Sequence, residues 1–187
     1  MEDRESLYQR LLSLSAQIAA SLDDRTIEQV TVSTLAEAMR AACCAVLHLG
    51  PEREQGWVST AHPHAEMANR ALSPEECAVL LPFLGAAEAR IIAPGDNTGL
   101  ASLLERFAAS QAVICPLHIE GGLSPILFLG FSGPCPMDTG DLALLNPLAR
   151  QIGAALDSTW LYQQTHRRLQ ELRLLHTIAL AASTTLD

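Results

Sequence analysis

Apolar residues near the start of the chain recur at helical spacing. Over residues 5–22 they come every three or four positions, which is typical of one buried stripe on an amphipathic helix. The stripe consists of Leu7, Leu11, Leu14, Ile18 and Leu22. Asp23 and Asp24 interrupt it, and a second helical pattern follows up to Met39, with Asp24 or Thr26 as its predicted cap. Two consecutive helices are therefore expected.

A much longer helical pattern occupies the C-terminal part. It follows Asp138 and Asp141, whose spacing is typical of a helix start, and continues for about 45 residues, far beyond the average of about 11 or 12. Its apolar positions are Leu142, Leu145, Ala149, Ile152, Leu156, Trp160, Leu169, Leu172, Leu175 and Ile178. Pro147 lies inside the pattern and is expected to kink the helix or shift its start. Because a partner helix usually supports such length, a dimer is expected.

The middle of the chain alternates short apolar runs with turn residues. Residues 43–49 and 57–61 are predicted as a hairpin with its turn at 52–55, and residues 112–119 and 125–131 as a second hairpin joined through two glycines. Ser73 and Pro74 indicate the start of a short helix through Leu81. Between that helix and the second hairpin, residues 89–93 are predicted as a strand, 94–99 as a loop and 100–108 as another short helix.

This order of elements predicts an α+β fold, with a central antiparallel sheet flanked by helices and long helices at both termini. At 187 residues the chain is long enough to bury a core. The net charge of −9, with twelve arginines and no lysine, disfavours nucleic acid as a partner. No apolar run approaches the length of a membrane span and the first residues lack a signal-peptide pattern, so a cytoplasmic location is expected.

The five cysteines are odd in number and include no C-x-x-C pair. Both features disfavour a disulfide scaffold or a structural zinc site. The cysteines are therefore expected to be free thiols that pack as small apolar side chains.

Three motifs lie in the second half of the chain: Val-Ile-Cys-Pro-Leu-His-Ile-Glu-Gly-Gly-Leu from residue 113, Ile-Leu-Phe-Leu-Gly-Phe-Ser from residue 126 and Leu-Ala-Arg-Gln-Ile from residue 148. This part of the chain resembles the C-terminal half of a GAF domain. The resemblance covers roughly residues 7–165, is strong from residue 113 onward and is weak over 62–99. These motifs are structural, so they indicate a fold more than a ligand.

The resemblance implies a GAF/PAS-like sensory or regulatory module of bacterial signalling proteins such as sensor histidine kinases. Members typically bind a small molecule between one sheet face and the variable middle segment. They relay a signal through terminal helices that pair across a homodimer to an output domain, either a histidine kinase or a cyclic-dinucleotide enzyme. The Asn-Lys-x-Phe-Asp-Glu residues of cyclic-nucleotide-binding relatives are absent, and Cys77 precedes alanine rather than the histidine expected for covalent bilin.

Six residues are candidates for contact with a small molecule: Trp57, His62, His64, Arg90, Arg106 and Cys115. Trp57 could stack on a ligand or fill the core, and Arg90 could bind an anion or pair with a neighbouring acid. His62 and His64 with Glu66 could ligate iron or zinc, or simply be exposed on a turn. His48, His62, His64 and His118 are the candidates for a haem ligand, although the sequence assigns no metal or cofactor.

Three functions remain open. The first is a non-catalytic ligand sensor, the second a thiol- or metal-based redox sensor or thiol redox enzyme using Cys77 or Cys115, and the third a dimerisation module with an empty pocket. Glu75 and Glu76 beside Cys77 oppose a reactive thiolate.

The expected division is a linker helix (1–22), a GAF-like sensory domain (23–160) and a signalling helix (161–187). The spacing of Leu11, Leu14, Ile18 and Leu22 returns in Leu175, Ile178, Ala182 and Leu186. The similarity is either chance or the start of a second repeat.

Overall fold

A computed structural model describes residues 2–21, 23–50, 55–86, 88–93, 95, 98–119 and 124–184. These residues form a six-stranded antiparallel sheet with helices on both faces, in the strand order β3-β2-β1-β6-β5-β4. The strands are β1 (Cys43–Leu49), β2 (Gly56–His62), β3 (Ala71–Leu72), β4 (Arg90–Ile92), β5 (Gln111–Pro116) and β6 (Ser124–Phe131). The helices are α1 (Glu2–Ala20), α2 (Asp24–Ala38), α3 (Pro74–Leu84), α4 (Thr98–Arg106) and α5 (Thr139–Thr184), with a 3-10 turn at Ala65–Met67. The α+β fold predicted from the sequence is confirmed.

The sheet buries apolar side chains on both faces because strand residues alternate in direction. On one face, called the α2 face, strand residues pack against α1, α2 and α5; they are Cys44, Val46, Val113, Cys115, Leu127 and Leu129. On the other, called the α3 face, they pack against α3 and α4; they are Cys43, Ala45, Leu47, Ile114, Ile126 and Phe128. The sheet therefore separates two hydrophobic cores.

Helix starts follow the local sequence. Ser73 accepts a hydrogen bond from the Glu76 backbone and the Glu76 side chain accepts one from the Ser73 backbone, so α3 begins with a complete capping box. Asp23, rather than the predicted Asp24 or Thr26, caps α2 by accepting from the Thr26 backbone. The prediction of the cap was therefore wrong, by one residue in the case of Asp24.

The long C-terminal helix is present and contains 46 residues. Asp138 and Asp141 exchange side-chain to backbone hydrogen bonds at its start, as their spacing indicated. The helix continues through Pro147, which therefore does not shift its start. In the part of the chain that the structure describes, no helix is long and apolar enough to cross a membrane.

Both predicted hairpins are present, although their connections at 51–54 and 120–123 lie outside the described residues. The two-residue strand β3 and the 3-10 turn were not predicted. Both are too short to produce a periodic pattern in the sequence.

Candidate functional site

Two polar clusters interrupt the two hydrophobic cores, one on each face of the sheet. The cluster on the α3 face is centred on Glu76, whose side chain is fully buried. Arg106 of α4 binds both carboxylate oxygens, with Nε 3.0 Å from Oε1 and Nη2 2.8 Å from Oε2. Ser102 donates a third side-chain hydrogen bond to Oε1 at 2.9 Å. This arrangement ties α3 to α4 through a buried, two-pronged ion pair.

The pKa of Glu76 is lowered from its ordinary value. Burial, the strongest single influence, raises the pKa, but the hydrogen bonds from Arg106, the Ser73 backbone and Ser102 together outweigh it. Glu76 therefore stays ionised at neutral pH, and its carboxylate holds α3 and α4 together.

The cluster on the α2 face is centred on Glu28, which is 5% exposed. His48 Nε2 lies 2.8 Å from Glu28 Oε1, and the Ser59 hydroxyl donates to Oε2. The Trp57 ring stacks on His48 with centroids 5.2 Å apart and planes 7° apart. Nδ1 of His48 is buried and has no hydrogen-bond partner among the described residues. The cluster thus joins α2 to the β1–β2 hairpin.

Asp24 extends this cluster toward the C-terminal helix. It lies one helical turn before Glu28 and accepts a hydrogen bond from the hydroxyl of Thr159 in α5. Burial, followed by the negative charges of Glu28 and Asp23, raises the pKa of Asp24, and His48 partly offsets the rise.

Three of the six predicted contact residues lie on the α2 face. Trp57 is opposite His48, and His62 is opposite Cys44, a core residue of that face. Cys115 is buried in the same core. Cross-strand partners share a face, so these residues point away from the α3 face.

The other three lie elsewhere. Arg90, in β4, pairs in register with Ile114 of β5. Its side chain therefore lies on the α3 face, and it is exposed. Arg106 is on that face too, bound to Glu76. His64 lies at the start of the 3-10 turn with Nδ1 3.3 Å from Glu66. The six residues therefore do not form one cluster, and their role in binding stays a prediction.

Burial makes the thiols of Cys43, Cys77 and Cys115 poorly suited to nucleophilic chemistry. Burial raises the pKa of Cys115 to about 12 against a small opposing effect of Arg150, and burial and then Glu76 raise that of Cys77. Burial also raises the pKa of Cys43 to about 11. Over the described ranges, no three histidine, cysteine, aspartate or glutamate side chains are arranged to hold a metal ion.

Sequence reasoning missed Glu28, Glu76 and Thr159 as buried polar residues. The signal for Glu76 was present, because Ser73-x-x-Glu76 is the pattern of a capping box, but the pattern does not show that the carboxylate is also buried against Arg106. Glu28 and Thr159 lie in amphipathic helices, where a lone polar residue on the core side has no distinctive spacing.

No family model matches the sequence. No curated protein is similar to it at a significant level. Many solved structures, however, are similar in fold.

The phycoerythrobilin-bound GAF domain of a cyanobacterial phytochrome has a TM-score of 0.67 at 14% identity, over 84% of this chain and 97% of that one. The GAF domain of an Acinetobacter phosphoenolpyruvate-protein phosphotransferase has a TM-score of 0.62 at 17% identity, over 80% and 91%. The structure of residues 122 to 287 of a methyl-accepting chemotaxis protein has a TM-score of 0.64 at 15% identity, over 82% of this chain and 99% of that one. The chain therefore has an α+β fold, and in particular the fold of GAF domains.

Proposed function

We propose that this chain is a non-catalytic sensory or regulatory domain that binds a small molecule and relays a signal through paired helices to an output domain of a longer protein. The output would be a histidine kinase or a cyclic-dinucleotide enzyme. The observation that carries the proposal is the last part of α5. Residues 161–177, here called the exit segment, are all exposed although they continue a helix packed into the core.

The exit segment has an apolar side. At 3.6 residues per turn, one side of the helix carries Leu161, Tyr162, Leu169, Leu172 and Leu175, which are 47% to 63% exposed. Arg167 and Glu171 lie on the remaining surface, whereas Arg168 lies one turn before Leu172 on the apolar side and interrupts it. An isolated helix of this kind is poorly stable in water, whereas a second copy would bury the apolar side.

The apolar side continues onto the folded domain. A shallow groove of about 180 Å³ lies between α1 and α5. Four of its lining residues are exposed or half-buried apolar side chains: Tyr8, Leu12, Leu144 and Pro147. A homodimer that pairs α1 and α5 of both copies would cover the groove and the exit segment together. On this proposal, residues 1–22 and 161–187 are the connecting helices and 23–160 the sensory domain.

The α3 face is the proposed side for the small molecule. The cyanobacterial phytochrome domain of the same fold binds phycoerythrobilin. In this chain the α3 face is covered by the short helices α3 and α4, and Arg90 presents an exposed cation at its edge. An anionic ligand suits this guanidinium.

The decisive experiment is native mass spectrometry of the full chain as purified, compared with the denatured chain, together with an absorbance spectrum. A dimer with additional non-covalent mass is the expected result. A monomer at micromolar concentration contradicts relay through paired helices. A dimer whose native mass is only twice the mass of the denatured chain contradicts a retained ligand and favours a dimerisation module with an empty pocket.

A further inference from the structure

A polar network runs through the domain from the β1–β2 hairpin to the start of the exit segment. Its members are Ser59 in β2, His48 in β1, Glu28 and Asp24 in α2, and Thr159 in α5. The role proposed above leaves this network unused, since the ligand is assigned to the opposite face of the sheet.

The hairpin end of the network rests on an irregularity of β2. In the β1–β2 register, Val46 pairs with Thr60 and the next residue, Leu47, pairs with Val58. Ser59 is therefore the extra residue of a β-bulge, and its hydroxyl reaches the Glu28 carboxylate. Together with His48, it fixes Glu28 against the sheet.

The other end of the network lies where α5 leaves the domain. Thr159 is 1% exposed. Its hydroxyl oxygen lies within hydrogen-bond distance of the Asp24 carboxylate and 2.8 Å from the Leu156 carbonyl oxygen. Trp160 is half-buried, and every residue from 161 to 177 is exposed. The contact between Asp24 and Thr159 is thus the final buried polar contact before the exit segment in the described part of α5.

The two ends meet on α2. Asp24 and Glu28 are one turn apart on the same side of the helix and repel each other. Ser59 and His48 hold the Glu28 carboxylate toward the sheet. The Thr159 hydroxyl therefore contacts the Asp24 carboxylate and not that of Glu28. If the Ser59 bond is lost, the charge of Glu28 is less compensated and disturbs the neighbouring Asp24 contact.

We propose that this network is a coupling device in which the Ser59–Glu28 contact and the Asp24–Thr159 contact stabilise each other. A change in the β1–β2 hairpin then alters how firmly α5 is anchored at Thr159, two residues before the exit segment. The inference rests on the proposed relay function, for which it names the internal path. Coupling of this kind is reciprocal, so loosening either end loosens the other.

The test is hydrogen exchange of the full chain, followed by mass spectrometry of peptides. In Ser59→Ala, amides of residues 156–165 are expected to exchange about threefold to tenfold faster than in the wild type, as for loss of one buried hydrogen bond. The matched control is Ser102→Ala. Ser102 is also half-buried and also donates to a buried glutamate, but on the α3 face, so its loss should leave residues 156–165 unchanged.

A reciprocal variant guards against misfolding of Ser59→Ala. Thr159→Val keeps the shape of the side chain but removes its hydroxyl, and should speed exchange in residues 57–62. Unchanged exchange near Thr159 in Ser59→Ala, or equal acceleration in Ser102→Ala, would overturn the proposal. Because the readout requires neither ligand nor dimer, such a failure is distinct from a failure of the sensory function, which native mass spectrometry reports.

Discussion

At the scale of single residues, the buried charged side chains form contacts between helices and strands. Glu76 is fully buried and satisfied by Arg106, Ser102 and the Ser73 backbone. Such a pair adds little net stability over an apolar replacement, yet removal of one partner leaves an uncompensated charge in the core. The arrangement therefore fixes the position of α4 on α3 more than it strengthens the fold.

This reasoning predicts a large effect of Arg106→Ala. Loss of the guanidinium leaves Glu76 ionised and buried, and should lower the free energy of unfolding by about 3–5 kcal/mol, measured by urea denaturation. Arg90→Ala removes an exposed arginine on the same face and should change the free energy of unfolding by no more than about 0.5 kcal/mol. Equal effects of the two variants would show that the buried Glu76–Arg106 pair matters no more to stability than an exposed arginine.

Asp24 gives a prediction for pH. Its pKa is raised in the folded chain, so the folded state binds more protons than the unfolded state between the ordinary pKa of about 3.9 and the raised one. Stability contributed by Asp24 is therefore present below that window and is lost as the pH rises through it. Asp24→Asn keeps an acceptor for Thr159 and removes this dependence.

The expected result is that the wild type loses stability relative to Asp24→Asn as the pH rises from about 4 toward neutrality. Urea denaturation of both chains at a series of pH values measures the difference. If the relative stability of the wild type instead rose with pH, the environment of Asp24 would favour its ionised form and the argument would be wrong.

At the scale of elements, the close crossing of α3 and α4 depends on a glycine. A Cβ at Gly99 would lie 2.2 Å from the Glu75 carbonyl oxygen, a backbone atom that cannot simply rotate away. Gly99→Ala should therefore destabilise the fold by about 1–3 kcal/mol. Gly85, at the end of α3, has no atom within 4 Å of such a Cβ, so Gly85→Ala is the matched control and should have little effect in thermal unfolding. A neutral Gly99→Ala would mean that the two helices separate easily.

Most elements could be predicted from the sequence because their signals are local. The stripe through Leu11 and Ile18, the apolar run from Cys43 and the Ser73-Pro74 helix start each depend on residues close together in the sequence. The site could not be predicted in the same way. Whether Trp57 and Arg90 share a face is decided by strand register and sheet order, which bring together residues far apart in sequence. The structure places those two side chains on opposite faces.

At the scale of the whole molecule, the exposed apolar side of the exit segment decides whether the chain works alone or as a pair. A folded domain that ends in an exposed helix with several leucines on one side presents a surface that water disfavours. Pairing of two copies along α5 buries it, and a parallel pair would place both C-terminal ends together, as relay to one output requires. The proposal of a homodimer thus follows from the same residues as the proposal of a relay.

Leu172 and Leu174 allow this to be tested within one turn of helix. They are 62% and 65% exposed, but Leu172 lies on the apolar side and Leu174 on nearly the opposite side. Leu172→Glu places a charge in the proposed interface and should weaken the dimer by at least about tenfold in dissociation constant, since a buried, unpaired carboxylate costs several kcal/mol. Leu174→Glu should leave the dimer intact. Sedimentation of the full chain over a range of concentrations measures both. If the two variants weaken the dimer equally, or neither does, α5 does not pair through this side, and the signal would have to leave the domain by another surface.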